Sequence, residues 1–128
     1  MNIKKSIVGS LFSMLLVSEM AAADWGDVYY CQMTNFNQIT LEGEEERWKL
    51  EKFQFKLDQT KRAMVFGSTG YFEGVVRELA IGHNWPSMEK WYATTVYSII
   101  YFEKGTLLVT INGSSGGIRS VSADCEKF

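Results

Sequence analysis

The chain has 128 residues, 46% of them hydrophobic, with thirteen Lys and Arg against fifteen Asp and Glu and a net charge of −2. A mildly acidic chain without a basic cluster argues against binding to nucleic acid or to anionic membrane surfaces. A single His and two Cys are too few ligands for a zinc-type centre, so no metal and no cofactor is expected.

At the N-terminus, Met1–Lys5 is short and basic, Ile7–Val17 is an apolar run of eleven, and Ala21-Ala22-Ala23 supplies the small residues of a cleavage site. This is the three-part pattern of a secretory signal peptide over 1–23, with cleavage before Asp24. The apolar run is too short to span a bilayer, so no membrane insertion is expected after cleavage. Its compact form points to a bacterial source and a periplasmic or secreted protein. The remainder, 24–128, suits a single β domain with its own core. Losing Lys4, Lys5 and Glu19 leaves it eleven basic and fourteen acidic residues. In an exported chain the lone pair Cys31 and Cys125 reads as a disulfide. The loop it closes holds nearly the whole domain, worth roughly 4–5 kcal/mol in the chain-entropy account.

Val28–Thr34 alternates Tyr29, Cys31 and Met33 against Val28, Tyr30 and Gln32, which predicts the first strand. Asn35-Phe36-Asn37 reads as a turn, Gln38–Leu41 as a short extended piece, and Glu42–Glu46 as a solvated loop. Trp48–Leu57 reads as a strand whose apolar parity switches at Glu51-Lys52. A β-bulge accounts for the switch, and so would a short loop between two strands. Phe53–Leu57 alternates cleanly, with Gln54 and Lys56 on a wet face. Asp58–Lys61 is a polar turn, Ala63–Phe66 a short strand, and Gly67-Ser68-Thr69-Gly70 a break. Tyr71–Ile81, with Val75, Arg77, Leu79 and Ile81 on one parity, fits a strand or a short amphipathic helix and is read as strand. Gly82–Lys90 is the longest irregular stretch.

The densest β signal is Trp91–Asn112. Two runs rich in Val, Ile, Thr, Tyr and Phe, Trp91–Phe102 and Thr106–Asn112, flank Glu103-Lys104-Gly105. A two-residue loop would place Lys104 at positive φ, so a three-residue loop with Phe102 opposite Thr106 is expected. That register sets Tyr97, Ile99 and Tyr101 on one face with Leu107, Val109 and Ile111. The other face carries Val96, Ser98, Ile100 and Phe102 with Thr106, Leu108 and Thr110. Gly113–Gly117 follows as a loop and Ile118–Cys125 as the last strand. Six to eight short strands separated by turns, with first and last tied together, predict an all-β fold, a small antiparallel barrel or sandwich.

Catalytic chemistry is scarce. Any Ser-His or Cys-His arrangement must use His83, which reads first as an exposed or packing histidine, and Glu73 with Glu78 is the one carboxylate pair of note. No enzyme activity is expected. Neither Gly-rich break opens a helix or carries a Lys, so neither reads as a phosphate loop. Aromatics are plentiful, and His83, Trp85, Trp91, Ser68, Tyr71 and Phe72 lie at or beside the loops where binding residues concentrate. The expectation is a non-catalytic binding domain that recognises a protein partner through loops at one barrel end. A carrier of a small apolar ligand, or a structural envelope component, is the alternative. Tyr30-Cys31, the turn Ser68-Thr69-Gly70-Tyr71 and the late Cys125 loosely resemble C-type lysozyme inhibitors, small exported barrels that insert a loop into the lysozyme cleft. The likeness covers about ten residues. Their loop has Ser-Gly, two residues and then Tyr, whereas the order here is Ser-Thr-Gly-Tyr, and the span between the cysteines is longer. Lipocalin-type carriers have an early Gly-x-Trp, and Asp24-Trp25-Gly26 runs in another order.

Overall fold

The computed structural model describes residues 23–80, 89–113 and 116–128; all but the last residue of the predicted signal segment 1–23 and most of the predicted loop Gly82–Lys90 lie outside them. Among the described residues nine strands are formed: β1 (Val28–Thr40), β2 (Glu45–Arg47), β3 (Lys52–Asp58), β4 (Ala63–Phe66), β5 (Val76–Glu78), β6 (Lys90–Thr94), β7 (Ser98–Glu103), β8 (Thr106–Gly113) and β9 (Gly117–Lys127). All pairings are antiparallel, in the order β5-β4-β3-β1-β9-β8-β7-β6, with β2 also on β1. Apart from β1 with β9, and β1 with β3, which follows β2 along β1, every barrel neighbour is also a neighbour in sequence, so the sheet is close to a meander whose last strand returns beside its first. The ring is nearly closed. Just beyond β5, the Ala80 N–H donates to the Tyr92 carbonyl of β6 at 2.9 Å.

Alternation sets the inner face. Phe53, Phe55 and Leu57 of β3 are buried between the exposed Gln54 and Lys56, as expected. In β1 the buried set is Tyr29, Cys31 and Met33, then Phe36. The parity resets because the register with β9 shifts between Met33 and Asn35, a bulge at Thr34. The predicted turn at Asn35–Asn37 is therefore strand. Phe36 packs on Trp48 and Tyr71 (ring centroids 5.1 and 4.8 Å), and Ser120 Oγ donates to Asn37 Oδ1 at 2.6 Å. These contacts across the sheet outweigh the turn preference of Asn.

Trp48–Leu57 is not one strand. The arch 48–51 separates β2 from β3 opposite the β1 bulge, with the Trp48 N–H on Phe36 O and the Met33 N–H on Glu51 O. The short loop between two strands, not a bulge, explains the parity switch. Glu45 and Glu46, expected in a loop, are the exposed start of β2. Within the predicted strand Tyr71–Ile81, only Val76–Glu78 pairs as β5; Tyr71–Gly74 forms turns, with Glu73 N–H on Gly70 O and Gly74 N–H on Gly67 O.

The main hairpin differs from expectation in two ways. Trp91–Phe102 folds on itself as β6 and β7, pairing Trp91 with Phe102 and Ala93 with Ile100. Thr95 makes that turn: its Oγ1 accepts the N–H groups of Tyr97 and Ser98 at 3.2 and 3.1 Å. Second, the β7–β8 loop has two residues, with Glu103 opposite Thr106, Lys104 at φ 48° and Gly105 at φ 86°. The faces are exchanged relative to the predicted register. Ile100, Phe102, Leu107 and Val109 now share the core. Lys104 in the left-handed region costs about 1–2 kcal/mol, while burying one such side chain contributes about 1.5–3 kcal/mol. Burial decides the register.

Cys31 and Cys125 are opposite one another in the β1–β9 ladder and form the predicted disulfide. The Cys125 N–H points the other way, to Gly105 O, so the pair is a non-hydrogen-bonded one in which side chains lie closest. Around it one barrel end is filled with rings. Trp91 stacks on Phe102 (4.1 Å) and Tyr29 on Phe55 (5.0 Å), with edge contacts between the two pairs. The Tyr29 hydroxyl donates to Glu89 Oε1 at 3.0 Å, and burial first, then Glu89, pushes its pKa far above 10.

Replacing Phe55 with Ala is expected to cost about 3–5 kcal/mol, and replacing Lys56 with Ala no more than about 0.5 kcal/mol. Denaturant melts of the two variants check this, and equal effects would contradict the alternation. Tyr29 is neutral in both states below about pH 10, so its contribution is complete there. Above that pH the unfolded chain releases the proton while the folded chain keeps it, and stability falls. Urea titrations from neutral pH to pH 11 should show that decline in the parent and a smaller one in Tyr29→Phe.

Candidate functional site

The inner face is not filled evenly. Trp91, Tyr29, Phe55 and Phe102 occupy one end. Along β7 and β8 away from that end, the inward rows run Phe102–Leu107, Ile100–Val109 and Ser98–Ile111. Side-chain volume falls along this series, and the barrel wall does not collapse to compensate. A cavity of about 290 Å³ remains, walled on one side by Ser98, Ile100, Val109 and Ile111. Tyr71, Phe72 and Val75, from the turns after β4, and Arg77 of β5 form the other side.

Phe72 is the floor, buried against Phe53 and Phe66 at 4.9 and 5.0 Å. Tyr71 is a half-buried side wall, and three contacts fix it. Its N–H donates to Glu51 Oε1 (3.1 Å), its ring meets Phe36 and Trp48, and its hydroxyl accepts from Arg119 Nη1 at 3.0 Å. Arg119 pairs with Ile111 in the ladder and shares the inward parity of Val121 and Ala123. Its guanidinium lies 4.5 Å from the Trp48 ring centroid, a cation–π arrangement, and Nε donates to Gln38 Oε1 at 3.1 Å. Arg77 faces inward by register, beside Met64, and Nη1 donates to the Val76 carbonyl at 3.0 Å. Ser98, the one buried polar side chain among the described residues, has its Oγ 2.9 Å from Thr95 Oγ1 within the β6–β7 turn.

Of the residues singled out in the sequence, Tyr71 and Phe72 line the cavity. Trp91 lies in the filled end, 1% exposed, with Nε1–H directed at Met64 Sδ (3.4 Å), so it packs there as core. Ser68 is exposed on the turn after β4 and does not line the cavity. His83 and Trp85 lie outside the described residues. Glu73 and Glu78 are exposed and line none of it. The sequence reading missed Arg77 and Arg119. The signal was present, since each shares the parity of an apolar set, Val75 and Leu79 for the first, Val121 and Ala123 for the second.

A second feature lies outside the barrel. Tyr92, Tyr101 and Leu108 form one outward row of β6–β8 and Ile99 sits in the next. Tyr97 and Val96 at the turn are 68% and 88% exposed, and Ile99 56%. No family model, no curated protein and no solved structure matches the chain.

Proposed function

We propose that the domain is an exported, non-catalytic binding protein that holds a small apolar ligand in the hollow end of its barrel. The cavity carries this reading. It is concave, mostly apolar and equipped with a few polar groups, as ligand sites are, and it sits at the lower end of their usual size range. The loop aromatics expected to be exposed for a protein partner are, where described, wall and floor of that cavity or core.

Export rests on the N-terminal pattern, and a disulfide in an all-β domain is compatible with it. Cleavage before Asp24 would turn the Asp24 amide into an α-ammonium group 2.8 Å from Asp27 Oδ2, where it gains a charge-assisted bond. Recognition of a protein partner is the second reading. The outward patch of Tyr92, Val96, Tyr97, Ile99 and Leu108 favours it, since contiguous exposed apolar surface marks interaction sites.

Intact-mass measurement of protein from its native source is expected to give a chain starting at Asp24 with no alkylatable thiol before reduction. Ligand-detected NMR should show saturation transfer from the parent to 1-octanol and none from Ile111→Trp, whose indole would occupy the cavity rim, with both melting at similar temperatures. Tyr97→Ser combined with Ile99→Thr should leave the octanol signal intact. If that double variant alone lost binding of whatever co-purifies with the parent, the outer patch and not the cavity would be the site.

A further inference from the structure

We infer that the cavity selects a single-chain acid: an apolar tail of modest length inside the barrel and an anionic oxygen head at Arg77, with Arg119 and Tyr71 holding the adjacent wall. This deepens the small-ligand reading and rests on it.

The cations are what single out an acid. A guanidinium has five N–H donors and no acceptor. Arg77 uses one on the Val76 carbonyl, and Arg119 uses two, on Gln38 and Tyr71. All these partners are neutral. The ion pairs among the described residues join other groups, Arg47 with Glu45, Lys90 with Glu103, and Lys127 with Asp27. Glu51, the acid that touches Tyr71, turns Oε1 to a backbone amide. A cation turned partly inward without a counter-ion loses some of its water, and neutral partners offset that loss only in part. Arg77 on the cavity wall and Arg119 on the wall beside it are both half-buried positions of this kind. A bound carboxylate would supply the missing charge, and its planar pair of oxygens matches the guanidinium fork.

Size limits the tail. At about 30 Å³ per water-sized unit, the cavity of about 290 Å³ holds on the order of ten non-hydrogen atoms. A medium-chain or arylalkyl carboxylic acid fits, and a diacyl lipid does not. Phe72, Ile100 and Val109 offer the tail a dry surface, while Arg77 leaves the head at the side where water can reach it.

The test compares octanoate, 1-octanol and octylamine by calorimetry on the parent, Arg77→Gln and Arg119→Gln. Octanoate should bind the parent at least about ten-fold more tightly than 1-octanol, which equals about 1.4 kcal/mol, and octylamine most weakly. Arg77→Gln should bring octanoate affinity down to that of octanol measured on the same variant; Arg119→Gln should reduce the advantage in part by releasing Tyr71. Equal binding of octanoate and octanol by the parent would overturn the acid while leaving an apolar site intact. Octanoate preference that survived in Arg77→Gln would overturn the placement of the head. Binding of neither compound would remove the cavity as a ligand site altogether.

Discussion

Closure of the barrel rests on the pairing of β1 with β9. The other ladders in the ring join strands close in sequence, consecutive ones or β1 with β3 past the short β2, so each forms with little closure entropy to overcome. β1 and β9 stand at opposite ends of the domain, and their ladder must bring together residues such as Cys31 and Cys125, 94 apart in sequence. It is also a long ladder, running from Tyr29 with Lys127 to Thr40 with Gly117. The disulfide lies near the Tyr29–Lys127 end of it, in a non-hydrogen-bonded pair that brings the side chains together without displacing a ladder bond. Once the bond has formed, the non-local step is no longer a search through the unfolded ensemble, and the remaining hairpins dock against a fixed edge.

The opposite side of the ring has no such lock. β5 is three residues long and meets β6 through the chain just beyond it, at Ala80 and Tyr92. The same side supplies Tyr71, Phe72, Val75 and Arg77 to the cavity, from turns and a short strand rather than from long ladders. Strength and opening are thus distributed around the circumference: the covalent tie and ring cluster at β1, β9 and the Trp91 end, the cavity wall where pairing is sparse. Regions with few ladder bonds open at lower free energy than the rest, so the ring would part first on the side of the cavity.

What was legible in the sequence follows from range. Phe53–Leu57 was readable because period-two alternation is a local property that tertiary structure then used without change, and Ala63–Phe66 because it is a short apolar run between turns. The disulfide was readable because two cysteines, in a chain that reads as exported, have one way to pair. The β7–β8 register was not, since a local preference against positive φ at Lys104 pointed one way and four core side chains pointed the other. The β6–β7 turn was hidden in Thr95-Val96-Tyr97, which reads as strand until the Thr95 hydroxyl is seen accepting two backbone N–H groups. Of the cavity, Tyr71 and Phe72 could be singled out by type and position. Arg77 and Arg119 left only the trace of their parity within apolar sets, while what makes them notable, the lack of an ion-pair partner among the described residues, emerges only when the strands are assembled.

Parity gives the two arginines their meaning. A one-residue slip of β9 would send Arg119 to solvent and Ile118 inward, but it would also expel Val121, Ala123 and Cys125 from the core and break the disulfide pairing. The same slip in β5 would separate Arg77 from the inward row of Leu57 and Met64. The core that fixes the register therefore holds both cations inward whether or not anything compensates their charge. A position held by so many other contacts is where a fold can carry an unfavourable group for the sake of a ligand. The Trp48 ring lowers that cost for Arg119 by stacking on the guanidinium, and Gln38 and Tyr71 orient it without neutralising it. The charge stays available at the one end of the barrel that is not already filled.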